Sequence, residues 1–262
     1  MKTVFNAIAF ASALLVSGSA MAVATSVIAS DSFTDGKAVG TSVAGSGGGT
    51  GWAGNWVSPS AASTIVDMDG SKALQISTNN AAIVSRTLSE SMSGDLVVRF
   101  EFQYSGVLGR NDFLGFWLGN SNGPNLGLKA NCDAVSGCTN DAFVRTTSAT
   151  KMLPDSDLLA NTTYVMFGHL YKTDGSTTYN HFDAWLNPTD AEMNGLVNPD
   201  VKSSGASSIA SFNTIGFRSD NLDNGVTVRV DNISISAIPE PTTIALFGAA
   251  LLGMGALRRR RG

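Results

Sequence analysis

Cysteine, histidine and glutamate are scarce in this 262-residue chain, and each scarcity narrows the chemistry open to it. The cysteines are Cys132 and Cys138, five residues apart, and the histidines are His169 and His181. Two thiols with no histidine nearby are too few for a structural zinc site. Glutamate in the body is limited to Glu90, Glu101 and Glu192. None of these lies in the Glu-x-Asp-x-x-Glu spacing that sets paired carboxylates on one strand for sugar hydrolysis. A phosphate-binding loop and His-Glu-x-x-His are both absent. The two histidines fall on neighbouring candidate strands, where a part in a base or metal site competes with ordinary packing. No catalytic constellation emerges, so the expectation is a protein that is not an enzyme. Charged residues make up only 15% of the chain, with no basic run or stripe in the body. That argues against nucleic acid as a partner. The body also has no long apolar pattern of helical period.

The termini are more explicit. Pro239, Glu240 and Pro241 break regular structure, residues 242–257 are almost wholly apolar, and Arg258, Arg259, Arg260 and Arg261 follow. Sixteen helical residues at ~1.5 Å each span ~24 Å, short of the ~30 Å bilayer core. Such a marginal span suits temporary retention, and the arginines hold that end on the cytoplasmic side. In this order the three elements resemble the PEP-CTERM sorting signal of Gram-negative bacteria. The resemblance implies recognition and cutting by an exosortase-type membrane protease near Pro-Glu-Pro. It also implies transient anchorage in the inner membrane, then delivery to the cell surface or an extracellular matrix, often beside exopolysaccharide. At the other end, Lys2 precedes an apolar stretch over 4–16, and Ala20-Met21-Ala22 forms an A-x-A cleavage signal. Residues 1–22 therefore read as a signal peptide, 23–237 as the body and 238–262 as a sorting segment with a hydrophobic helix.

Removing Lys2 and the four terminal arginines takes the basic residues from 17 to 12, and removing Glu240 takes the acidic ones from 21 to 20. The body thus carries about −8, which mainly favours solubility. In an oxidising compartment Cys132 and Cys138 are expected to pair and staple a short loop. Short β-prone runs at 73–77, 81–88, 95–104, 112–119, 163–172, 177–187, 213–219 and 226–236 are separated by glycine and Asn/Asp clusters. A helical turn is expected only over 156–160. The fold class predicted is all-β, a two-sheet antiparallel jelly-roll sandwich in a single domain.

Asp31-Ser32-Phe33 with Gly36, the run Gly47-Gly48-Gly49-Thr50-Gly51-Trp52 and Trp56 resemble the start of concanavalin A-like or laminin G-like jelly rolls. Phe182 to Pro188 and Val228 to Ile233 resemble later strands of such folds. The resemblance implies carbohydrate binding as a common role and glycosidase activity in some members. Strand parity sets Asp183, Trp185 and Asn187 on one face, an aromatic flanked by hydrogen-bonding groups as a glycan site requires. Trp117, His169 and Tyr171 are expected on the same sheet. The alternative is that Trp185 and Trp117 fill the core. No cofactor is required, although Asp31 and Asp231 on paired end strands would offer carboxylates to calcium. The EF-hand pattern is absent, and Asp67, Asp69 and Gly70 suggest a turn. The expected role is a non-catalytic interaction module for exopolysaccharide. The competing classes are a glycan-active enzyme and a structural matrix component without a discrete ligand.

Overall fold

The computed structural model describes residues 22–23, 25–59, 63–77, 83–131, 139–147, 151–153, 156–173 and 175–239. The signal peptide through Met21, Cys132, Cys138, Glu240, Pro241 and the four terminal arginines lie outside them. No helix among the described residues is long and apolar enough to cross a membrane.

Fourteen strands and one short helix make up the described chain. The first five strands are β1 (Ser26–Asp31), β2 (Ser63–Met68), β3 (Ser71–Ile76), β4 (Ile83–Met92) and β5 (Leu96–Ser105). Next come β6 (Phe113–Leu118), β7 (Asn125–Ala130), β8 (Asn140–Arg145), β9 (Lys151–Met152), β10 (Tyr164–Tyr171) and β11 (His181–Leu186). After α1 (Asp190–Gly195) follow β12 (Val201–Ser204), β13 (Phe212–Asp220) and β14 (Thr227–Ala237). The larger sheet runs β12-β11-β10-β5-β14-β3-β2, with β1 also paired to β14. The smaller runs β4-β13-β6-β7-β8-β9, and every ladder is antiparallel. The architecture is the β-sandwich expected from the sequence.

Alternation explains the layering. On β5, Leu96, Val98, Phe100, Phe102 and Tyr104 are buried in the main core, while Val97, Arg99, Glu101 and Gln103 fall on the opposite parity. Phe100 meets Phe116 and Phe217 of the facing sheet, with ring centroids 5.4 and 5.6 Å away. A bulge keeps β14 apolar on that side. Val228 and Val230 precede it, Ile233 and Ile235 follow it, and Asn232 at φ 50° absorbs the extra residue.

The glycine-rich segment 44–54 lies flush against β1. A Cβ at Gly51 would fall 1.8 Å from the carbonyl oxygen of Ile28, and one at Gly49 would fall 2.0 Å from that of Ser30. Arg86 clamps the segment from β4. Its guanidinium pairs with the buried Asp31 and donates from Nε to Gly54 O at 2.8 Å and from Nη2 to Gly48 O at 3.0 Å. It also lies 4.7 Å from the Trp52 ring centroid. Burial pulls the Arg86 pKa down while the Asp31 charge pushes it back up.

One local expectation is corrected and another is met. Residues 156–160 form no helical turn, and the helix lies instead at α1. Thr189 and Glu192 cap α1 reciprocally, a capping box legible as Thr-x-x-Glu. The Asp67–Gly70 turn is a hairpin connection as expected. Asp69 and Gly70 both take positive φ, and Asp67 Oδ1 accepts the Gly70 N–H at 3.1 Å.

Candidate functional site

The parity argument for Asp183, Trp185 and Asn187 is geometrically right, but the conclusion drawn from it is corrected. Phe182 and Ala184 do enter the main core, and Trp185 does point away from it. That outer face is covered here. Met193 and Leu196 of the α1 region and Ile238 pack over Val97, Phe167 and Trp185. Trp185 is 0% exposed, and its indole N–H donates to Val197 O at 2.8 Å. It offers a sugar no stacking surface. Asp183 is buried as well, with Lys202 Nζ 3.9 Å away. Asn187 is exposed at φ 53° and bridges to Val165, its Oδ1 accepting the Val165 N–H at 2.8 Å. It ends the strand rather than facing a ligand.

The other candidates separate similarly. β1 and β14 do pair, bringing Asp31 and Asp231 near each other. Yet Asp31 is engaged by Arg86, by Trp56 Nε1 at 2.7 Å and by the Phe33 N–H at 2.8 Å, so it is a packing carboxylate rather than a free calcium ligand. Burial raises the Asp231 pKa, which further disfavours a charged pair there. No group of three metal-ligating side chains occurs among the described residues. Trp117 lies on the smaller sheet, not with Trp185. Glu90, Glu101 and Glu192 fall on β4, β5 and α1 respectively. His169 and Tyr171 do share the Trp185 face, where their rings stack at 4.4 Å and Tyr171 stacks on His181 at 5.1 Å.

His169 gives this face a pH signature. Burial pulls its imidazole from 6.5 to about 4, so it is neutral at neutral pH. The unfolded chain takes up this proton near 6.5, the folded chain only near 4, so stability falls as pH drops through that window. The expected loss is about 3 kcal/mol at most. The Asp95 carboxylate lies 3.9 Å from Nε2, and Asp183 stands opposite on the adjacent strand. His169→Gln should flatten the acid limb of urea midpoints between pH 7 and 4; superimposable slopes would count against this assignment.

The face that stays open belongs to the smaller sheet. Its outward residues form rows set by register. Trp117, Asn125 and Arg145 line up across β6, β7 and β8. Arg218, Gly115, Gly127 and Phe143 form the next row, then Asp220, Phe113 and Lys129. Between them runs a cleft of about 360 Å³, rimmed by Asn111, Asn122 and Asn221. Phe113, 6% exposed, leans over Gly115, where a Cβ would sit 2.6 Å from its ring. Arg145 lies 5.2 Å from the Phe113 centroid and 5.6 Å from that of Phe143, and Lys129 Nζ lies 5.8 Å from Phe113. Buried Asn125 holds Arg145, its Oδ1 accepting from Nε at 2.9 Å. Arg218 donates to Asn122 at 3.1 Å and to Asp220 at 3.0 Å. Burial lowers the Arg145 pKa, and the nearby Arg218 charge lowers it further.

Sequence reasoning missed this cluster and corrects on one point: three cations separated along the chain do converge on one face. The parity of each strand is legible, but nothing in the sequence reveals which strands neighbour each other.

At the far end of the central strand, residues 237–261 match the PEP-CTERM protein-sorting motif. The chain carries a PEP-CTERM sorting motif behind a β-sandwich body. The match begins at Ala237, the last residue of β14. No curated protein matches the PEP-CTERM chain in sequence. Among solved structures it is similar to an alginate lyase mutant in complex with an alginate trisaccharide, at 13% identity and TM-score 0.50. That alignment covers 82% of this chain and all of the lyase. A carbohydrate esterase from Shiga toxin-encoding bacteriophage phi24B aligns at 10% identity and TM-score 0.50, over 82% of this chain and 100% of that one. The receptor-binding domain of the botulinum neurotoxin C/D mosaic serotype aligns at 12% identity and TM-score 0.51. There 84% of this chain matches 50% of the toxin domain. At these identities the likeness is one of fold.

Proposed function

We propose that this is an exported cell-surface or matrix protein of a Gram-negative bacterium, cut by an exosortase-type membrane protease and then serving as a non-catalytic module that binds exopolysaccharide. One observation carries the reading: the sorting motif follows directly on a sandwich that keeps one sheet face open, with a polar cleft along it. The cleft supports binding over cleavage. Its lining consists of three asparagines, three cations, Phe113 and Thr147, and its lining carboxylate, Asp220, is already bonded to Arg218. A general acid and base would need two carboxylates set across a sugar ring.

The test uses protein recovered outside cells of a host that carries the protease. Intact mass should show the loss of Arg258–Arg261. The recovered protein should co-sediment with the host's own polysaccharide and leave its chain length unchanged. Retained arginines would sink the processing claim, shortened polysaccharide would make the protein an enzyme, and no association would leave a structural component.

A further inference from the structure

We infer that the cleft on the smaller sheet binds the carboxylate groups of an acidic, hydroxyl-rich polysaccharide, an inference that rests on the interaction-module reading and adds the charge and the contacting residues. The body carries about −8, yet Lys129, Arg145 and Arg218 line this one cleft with Asp220 as the lining carboxylate. Asp141 stands across from Lys129 on β8, where it accepts the Thr139 N–H and the Ser156 hydroxyl. An acidic protein that gathers cations on its open face has an attractive field there for polyanions and a repulsive one elsewhere.

Arg145 is the centre of the argument. Its guanidinium is half-buried, spread over two aromatic rings and fixed through Nε by Asn125. No carboxylate pairs with it among the described residues, and the charge that acts on it is the like charge of Arg218. A cation so placed has lost part of its hydration without gaining a counter-ion, a state relieved by an incoming anion. The remaining face of the guanidinium is a planar donor fork, which matches a carboxylate in bidentate geometry. Arg218 is held in place by Asn122 and Asp220, so its charge is pre-positioned at the other side of the floor. Gly115 and Gly127, paired in register, add no side chains to that floor. The rim asparagines supply both donors and acceptors, the groups that hydroxyls need. At about 360 Å³ the cleft is within the usual range for a small-molecule site, ~300–1,000 Å³. Charge alone would suit any polyanion; charge beside an amide rim favours a sugar acid.

The experiment measures binding of the purified exported protein to polygalacturonate, hyaluronan, neutral dextran, polyglutamate and a DNA duplex, at low and high salt. Polygalacturonate and hyaluronan should bind, with affinity falling as salt rises. Arg145→Gln and Arg218→Gln should each weaken binding about tenfold or more. Arg145→Lys keeps the charge but not the fork and should recover only part of the loss. Lys202→Gln, on the other sheet, should change nothing, and melting temperatures should confirm that each variant folds. Binding that ignores both arginine variants would overturn the assignment. Polyglutamate or DNA binding as tightly as the uronates would reduce the site to a non-specific anion patch and overturn it too. Equal affinity for dextran would remove the charge inference while the module reading stands. No binding to any saccharide would remove both.

Discussion

Arg86→Met should destabilise the body by about 3–5 kcal/mol, because it strands a buried carboxylate. Asp31 is 2% exposed and would keep only the N–H groups of Trp56 and Phe33. The carbonyls of Gly48 and Gly54 would lose their donors in the same step, loosening the glycine-rich segment from β1. With a whole-domain stability of about 5–15 kcal/mol, that loss approaches unfolding. Urea denaturation gives the measurement. The double variant Asp31→Asn with Arg86→Met should lose less than the two single variants summed, because both remove one interaction. A midpoint for Arg86→Met equal to that of the parent would show that the pair contributes nothing.

Trp185→Ala should have a comparable effect, about 3–5 kcal/mol, from the cavity left beneath α1. Met193 and Leu196 lose their main partner, and the Val197 carbonyl loses its donor. For a body of this size the melting temperature should fall by about 10 °C or more. Amide exchange should quicken in α1 before it does in β5, since α1 is held by this one small cluster. Unchanged melting would mean that α1 does not cover Trp185 in solution and would return that tryptophan to the list of ligand contacts.

Trp185 also shows where reading a sequence stops. Its parity was legible because a strand alternates, and Phe182 and Ala184 do face the core as that alternation requires. What covers the outer side was not, because the cover comes from residues 193, 196 and 238, and only the Thr189–Glu192 capping box hinted at a helix nearby. Most strands were legible from β-branched and aromatic runs. β1, β2, β7, β8, β9 and β12 were not; in β7 and β8, Asn-Leu-Gly-Leu-Lys-Ala and Asn-Asp-Ala-Phe-Val-Arg carry too much polar and small character on their outer parity. Those outer positions hold Lys129 and Arg145, so the same residues that hid the strands form the cleft. The Asp31 and Trp56 motif was legible as a fold signature, but its partner Arg86 lies 55 residues away from Asp31 on the other sheet, and only the packing of the two sheets joins them.

The position of β14 bears on how the molecule is made. It is hydrogen-bonded to β5, β3 and β1, so the larger sheet closes around the last strand to be synthesised. The sorting motif begins on that strand's final residue, and the Ile238 N–H still donates to Asp95 O at 2.9 Å. A chain threaded through a membrane from its N-terminus would therefore deliver the keystone of its sheet last. Until residue 237 emerges, β5 and β3 have no shared neighbour and the sandwich stays open. Export and folding then finish together, and the sorting motif follows the completed body in sequence with no spacer between them.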